Sequence, residues 1–195
     1  MNLKIIELFG GIGSCTEALI KPKYVIWENV KNVLSAKHKP NFDKYIQKMS
    51  DLGYENYYQV LNAKDYEIPQ NRGRVFVVSI LGGGAFKFPK KKPLNTTFRD
   101  FLQDNPSCKY YLSQEQHEAR QKSGYVSTKK EFLTSDLINT ETARQYKGGQ
   151  YFKKNEVFRK LTPLECWRLM GFSDDSFFKA RAINSDTQLY KQAGN

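Results

Sequence analysis

The 195-residue chain has only three cysteines, Cys15, Cys108 and Cys166, and two histidines, His38 and His117. The cysteines are far apart and form no CxxC pair, which argues against a disulfide framework and against a structural zinc site. Two isolated histidines are too few for an imidazole-built metal centre, so no metal is expected. No apolar run approaches the ~18 residues of a membrane span, and Leu3 leads straight into a glycine turn without the hydrophobic stretch of a signal peptide. These absences predict a soluble, reducing, cytoplasmic chain with no membrane partner. Acidic residues are also short: 20 stand against 31 Lys and Arg, for a net charge of +11. What the chain does have is core material, with 39% hydrophobic residues, 12 Tyr, 13 Phe and 2 Trp. That composition and length fit one folded domain, or one with a modest insertion.

The positive excess is uneven. Residues 1–81 carry 11 basic and 8 acidic side chains, residues 82–160 carry 16 and 8, and residues 161–195 carry 4 and 4. The middle of the chain therefore holds most of the charge that would attract a polyanion, although a basic stretch is equally compatible with an ordinary solvated face.

Leu3 to Phe9 reads as a strand that stops at Gly10-Gly11-Ile12-Gly13, with Ser14 capping a short helix through Ile20. Pro22 ends that helix. Tyr24 to Trp27 reads as a second strand with Glu28-Asn29-Val30 at its carboxyl end, the edge at which open α/β sheets bind ligands if these two strands run parallel. Phe42, Tyr45, Ile46 and Met49 have helical spacing, which predicts a helix over 41–52 with Gly53 as its C-cap, followed by a strand over 57–61. Val75 to Leu81 (VFVVSIL) is a continuous apolar run of the kind buried on both faces, and Gly82-Gly83-Gly84 then breaks the chain. From 85 to about 156 the periodicity weakens into loops and short elements, including Lys90-Lys91-Lys92. Order returns at Leu161-Thr162-Pro163-Leu164-Glu165, where Thr162 as N-cap, Pro163 at N1 and Glu165 at N3 start a helix through Met170, ended by Gly171.

Taken alone, the glycine turn ELFGGIG is more often a tight connection than a cofactor cradle. The order of the segments is more specific: the glycine turn, Glu28-Asn29-Val30, Gln70-x-Arg72-x-Arg74, RKLTPLECWRLMGF over 159–172, and Gln192-Ala193-Gly194-Asn195. In this order the chain resembles the DNA cytosine-5 methyltransferases, whose blocks run DLFxGxGG, PCQ, ENV, QxRxR, RxLTPxExxRLxGF and GNS. The resemblance covers residues 3–81 and 157–195, and the basic middle lies where that family places its target-recognition region.

It implies an α/β fold, a reduced Rossmann-like S-adenosylmethionine-dependent methyltransferase sheet. Three parts are expected: a partial core over 1–81, a basic target-recognition-like region over 82–156, and a C-terminal return to the core over 157–195. The implied activity is methyl transfer from S-adenosylmethionine to C5 of cytosine in duplex DNA, as in restriction-modification, in the cytoplasm of a bacterial or phage-infected cell. Phe9, Gly10, Gly11, Gly13 and Asn195 take the cofactor positions. Glu28 takes the acid beside cytosine N3, for which an apolar setting would raise its pKa. Arg72 and Arg74, two apart in an extended segment, would point to one side and hold a phosphate, the cytosine edge or Glu28; the plainer alternative is two exposed arginines at a strand entrance. Lys90, Lys91 and Lys92 are the expected phosphate contacts.

The departures are as informative. Several family strands and the PCQ loop are missing between the glycine turn and Glu28, and none of the three cysteines stands in a Pro-Cys-Gln context. Glu7 and Ser14 replace the usual Asp and final Gly of the first block, and the acidic residue that would grip the cofactor ribose is absent. Cytosine C5 becomes nucleophilic when a thiolate adds at C6, so the chain alone is expected to be inactive, with cofactor binding weak or lost. Missing central strands would leave an apolar sheet edge uncovered. A complementing chain, a self-partner or a nucleic-acid enzyme is therefore an expected partner beside duplex DNA. The competing expectation is a catalytically dead binding module that binds DNA or inhibits a nucleic-acid enzyme.

Overall fold

A computed structural model describes residues 22–116, 118, 136–140, 151–154 and 157–194. The expected strand over 3–9, the glycine turn and the helix through Ile20 lie outside the described residues, as does Asn195. The described residues divide into two compact units. One holds the chain up to Asn62 together with Gly73–Lys91, and the other holds Ala63–Arg72 and the chain from Lys92 onward.

In the first unit β1 (Tyr24–Val30), α1 (Lys39–Asp51) and β2 (Tyr54–Asn62) form a strand–helix–strand crossover. The strand β4 (Gly73–Leu81) lies between β1 and β2 and is antiparallel to both. The helix–strand alternation thus gives a parallel relation between β1 and β2, but every direct pair in this sheet is antiparallel, because residues 63–72 reverse the chain before β4 enters. The central place of β4 explains its composition: Val75, Val77, Val78, Ser79 and Ile80 are all buried.

Alternation along β1 decides its faces. Val25 and Trp27 turn towards α1, whereas Tyr24, Ile26, Glu28 and Val30 face outwards and are exposed. Helix α1 meets the first face with Phe42, Tyr45 and Ile46, positions three and four apart. Trp27 stacks on Tyr45 at 5.1 Å, and Phe42 sets its edge against Tyr58 at 5.0 Å. Leu52 caps the helix, and Gly53 follows with φ +91°, the left-handed conformation that favours glycine.

In the second unit β3 (Gln70–Asn71) pairs parallel with β5 (Ile138–Asn139), and β6 (Tyr151–Lys154) forms an antiparallel ladder with β7 (Val157–Lys160). Three helices follow: α2 (Pro163–Leu169), α3 (Asp174–Arg181) and α4 (Asp186–Gly194). Phe98, Phe152, Leu161, Leu164, Leu169, Phe177 and Leu189 fill their common core. The reciprocal cap at α2 forms as its spacing predicts: Glu165 N–H donates to Thr162 Oγ1 at 3.2 Å, and Thr162 N–H donates to Glu165 Oε2 at 2.7 Å. The regular helix stops at Leu169, Met170 caps it, and Gly171 turns the chain with φ +84°.

Candidate functional site

The clearest convergence of expected site residues is at the carboxyl end of β1. Val30 lies opposite Arg74, and Glu28 lies opposite Phe76, so Glu28 and Arg74 are diagonal neighbours on the outer face of the sheet. Arg74 Nε reaches Glu28 Oε1 at 3.0 Å, while Arg74 Nη1 donates to the Gly73 carbonyl at 3.0 Å. The Arg74 side chain is only 15% exposed and that of Glu28 is 45% exposed. The structure corrects one expectation here. Glu28 is not buried, because the period of two that buries Val25 and Trp27 turns Glu28 to the open side. As an ion-paired carboxylate it is an acceptor, held in orientation by a better-buried guanidinium.

Arg72 belongs to the second unit, on the stretch joining β3 to β4. Its N–H donates to the Gln70 carbonyl at 3.0 Å, and its carbonyl accepts from Ala63 N–H at 3.1 Å. Gln70, a motif residue given no role from sequence, is fully buried and donates through Nε2 to the Leu169 carbonyl at 3.0 Å. It ties the QNRGR segment to the end of α2. Of the three consecutive lysines, Lys92 is ion-paired to Glu67 at 2.7 Å, and its N–H donates to the Asp65 carbonyl. Lys90, Lys91 and Lys92 are all exposed.

Neither described cysteine stands in a Pro-Cys-Gln context. Cys166 is completely buried inside α2, while Cys108 is exposed at the start of a single 3-10 turn, Cys108–Tyr110. Among the described residues no group of three His, Cys, Asp or Glu is arranged to hold a metal, and no helix is long and apolar enough to cross a membrane.

Sequence reasoning missed the most buried charges among the described residues. The side chains of Arg159 and Glu165 are both fully buried and meet through two parallel bonds, Nη2 to Oε1 at 2.7 Å and Nη1 to Oε2 at 2.9 Å. The guanidinium also lies over the Phe152 ring at 4.5 Å. The available signal was an arginine three residues before the Thr162 cap, with the capping Glu165 three residues after it. Alternation along β7 could not say which face is the core.

Beside α2 lies a cleft of about 310 Å³ lined by Gln103, Ser107, Lys109, Tyr110, Arg181 and Asp186. Asp186 Oδ2 accepts from Lys109 Nζ at 2.6 Å and from the Tyr110 hydroxyl at 2.8 Å. Burial pushes the Asp186 carboxyl up, but these two bonds together with the charges of Lys109 and Arg181 outweigh it and hold it below its ordinary 3.8. The Arg168 guanidinium likewise lowers Asp174. A depressed folded-state pKa contributes stability that is complete above the unfolded value and is lost as pH falls through the folded one. The melting temperature is therefore expected to drop as pH is lowered below about 4. Asp186→Asn should make that drop shallower, as thermal melts at a series of pH values would show.

A family profile described as C-5 cytosine-specific DNA methylase matches residues 16–195. That span includes Glu28, Arg72, Arg74 and the basic middle, and begins after the glycine turn. The type II methyltransferase M2.ScrFI of Lactococcus lactis subsp. cremoris is 40% identical over 187 residues, covering 90% of this chain and 51% of the relative. M.Bsp6I of Bacillus sp. (strain RFL6), also a type II methyltransferase, is 33% identical over 201 residues, covering 90% of this chain and 61% of the relative. The chain thus spans about half to three-fifths of the length of these curated relatives. Among solved structures, the Entamoeba histolytica methyltransferase EhMeth superposes with a TM-score of 0.69 at 19% identity, over 90% of this chain and 58% of that one. The S. pombe Dnmt2 methyltransferase gives 0.68 at 18%, over 89% and 60%. The likeness of architecture shows the α/β methyltransferase fold, and the profile match shows that the chain belongs to the C-5 cytosine-specific DNA methylase family.

Proposed function

We propose that this chain is the portion of an S-adenosylmethionine-dependent DNA cytosine-5 methyltransferase that engages duplex DNA, and that by itself it does not transfer a methyl group. The observation that carries this reading is the Glu28–Arg74 pair at 3.0 Å. It joins two separately recognised blocks of the family on one sheet face. In this reading Arg74 positions the Glu28 carboxyl for the cytosine ring edge, and Arg72 contacts a phosphate of the duplex. Residues 82–156 act as the target-recognition region, with Lys90, Lys91 and Lys92 contacting phosphates.

S-adenosylmethionine, when bound, supplies the methyl group. Phe9, Gly10, Gly11, Gly13 and Asn195, the residues that would hold it, lie outside the described residues, so the reading assigns them contact with the cofactor and nothing more. What the chain lacks is the group that would activate C5. Cys166 is enclosed in α2, Cys108 is exposed on a 3-10 turn, and no cysteine of the sequence stands in a PCQ setting, so in this reading no thiolate is delivered to cytosine C6. DNA binding without catalysis is the role left to the chain when no complementing polypeptide is present.

The test is transfer of a labelled methyl group to duplex DNA, run beside a DNA-binding titration on the same preparation. Binding without incorporation is the expected result. Incorporation by the chain alone would overturn the account of the nucleophile, and loss of both activities would remove DNA as the substrate.

A further inference from the structure

The cleft of about 310 Å³ beside α2 lies wholly in the second unit, and its polar groups are not all spent on one another. Its charged lining is two cations, Lys109 and Arg181, against one carboxylate, Asp186. Both bonds to Asp186, from Lys109 Nζ at 2.6 Å and from the Tyr110 hydroxyl at 2.8 Å, fall on Oδ2, so Oδ1 keeps its acceptor capacity on a side chain 33% exposed. Arg181, the last residue of α3, is exposed and has no hydrogen bond or ion pair among the described residues, yet its charge is felt at Asp186. Gln103 is oriented by the cap of α2. Thr162 Oγ1 accepts from Glu165 N–H at 3.2 Å and gives its own proton to Gln103 Oε1 at 2.6 Å, which leaves the Gln103 Nε2 donors for the cleft.

We propose that this cleft binds a small phosphorylated sugar, with its phosphate on Arg181, Lys109 and the Gln103 amide and a sugar hydroxyl donating to Asp186 Oδ1. Each requirement comes from the lining. A guanidinium fork, an ammonium and an amide present several donors to one anion, and charge-assisted bonds of this kind are the strong ones. A bare phosphate would use them but would bring its oxygens against the Asp186 carboxylate, so the ligand must also carry a donor. An ammonium in that place would be repelled by Lys109 Nζ, which is 2.6 Å from the same carboxylate, whereas a neutral hydroxyl is not. The volume stands at the lower end of the ~300–1,000 Å³ typical of small-molecule sites, which suits a sugar phosphate. The cleft shares no residue with the Glu28–Arg74 pair or with the three consecutive lysines.

The experiment titrates the isotopically labelled full chain with ribose 5-phosphate, inorganic phosphate and ribose while backbone amide resonances are followed. Ribose 5-phosphate should give saturable shifts at Ser107, Lys109, Tyr110 and Arg181, and should bind more than about tenfold tighter than inorganic phosphate, with ribose undetectable. Arg181→Gln should melt at the parent temperature and weaken ribose 5-phosphate by about tenfold or more. Lys179→Gln, which removes a 76% exposed cation of the same helix outside the cleft, should leave the affinity unchanged. A short DNA duplex without terminal phosphates, added as competitor, should not displace the ligand, which separates a free sugar phosphate from a backbone phosphate. The proposal fails if ribose 5-phosphate gives no saturable shifts or shifts elsewhere, if inorganic phosphate or ribose matches it, if Arg181→Gln binds as the parent does, or if the duplex displaces it. No readout depends on methyl transfer, so either result stands apart from the proposed function.

Discussion

Glu165→Ala should destabilise the second unit by about 3–5 kcal/mol, the range seen when one partner of a buried ion pair is removed. Glu165 Oε1 accepts from Arg159 Nη2 at 2.7 Å and from Gln103 N–H at 2.8 Å, and Oε2 accepts from Arg159 Nη1 at 2.9 Å and Thr162 N–H at 2.7 Å. Truncation leaves a fully buried guanidinium and two backbone donors without their acceptor. Arg159 is poorly placed to compensate, since its Nε has no hydrogen-bond partner among the described residues. A loss of this size is a large share of the ~5–15 kcal/mol that holds a typical domain together. Two comparisons separate the buried charge from general fragility. Asp174→Ala breaks the Arg168–Asp174 pair, in which both side chains keep solvent contact, and should cost about 1 kcal/mol or less. Replacing Arg159 and Glu165 together by apolar residues of similar volume should cost far less than Glu165→Ala, because no charge is stranded. Urea denaturation of the four proteins gives the ranking directly.

Duplex DNA binding should fall steeply with salt. Residues 82–160 hold 16 of the 31 basic side chains, and each phosphate neutralised contributes about −0.9 to the slope of log affinity against log salt. Engagement of ~4 to 6 phosphates gives a slope of roughly −3.6 to −5.4, which is on the order of a 10²- to 10³-fold loss between 50 and 200 mM salt. The Glu67 carboxylate at 2.7 Å already neutralises Lys92. The triple change of Lys90, Lys91 and Lys92 to Ala is therefore expected to flatten the slope by fewer than three contacts, without altering sequence preference, since point charges on phosphates position a duplex but do not read its bases. Salt-insensitive binding, or a triple variant identical to the parent, would assign this stretch to a solvated face.

What could be read from sequence was local. The cap at Thr162 and Glu165 is written in four residues and forms as written, and the spacing of Phe42, Tyr45, Ile46 and Met49 places α1 to within two residues. The unbroken apolar run of β4 correctly marks a strand covered on both faces, because such a run is intolerable at an edge. What could not be read was the placement of elements relative to one another. Nothing local says that β4 inserts between β1 and β2, and it is this insertion that brings Arg74 to Glu28. The exposure of Glu28 and the burial of Arg159 have the same origin. Each alternates correctly along its own strand, but which alternate face is covered depends on partners distant in sequence. Helices α3 and α4 went unread because their apolar positions are sparse, with Phe177, Leu189, Tyr190 and Ala193 supplying the buried contacts.

The most direct test of the central claim is the mass of the chain after incubation with S-adenosylmethionine and duplex DNA carrying 5-fluorocytosine, a base that traps the thiolate adduct. A family member presenting its nucleophile would be held covalently on the duplex. This chain should be recovered at its unmodified mass, with the DNA bound only through salt-sensitive contacts. A stable protein–DNA adduct mapping to Cys15, Cys108 or Cys166 would contradict the account, because it would show that a cysteine outside a PCQ setting reaches cytosine C6.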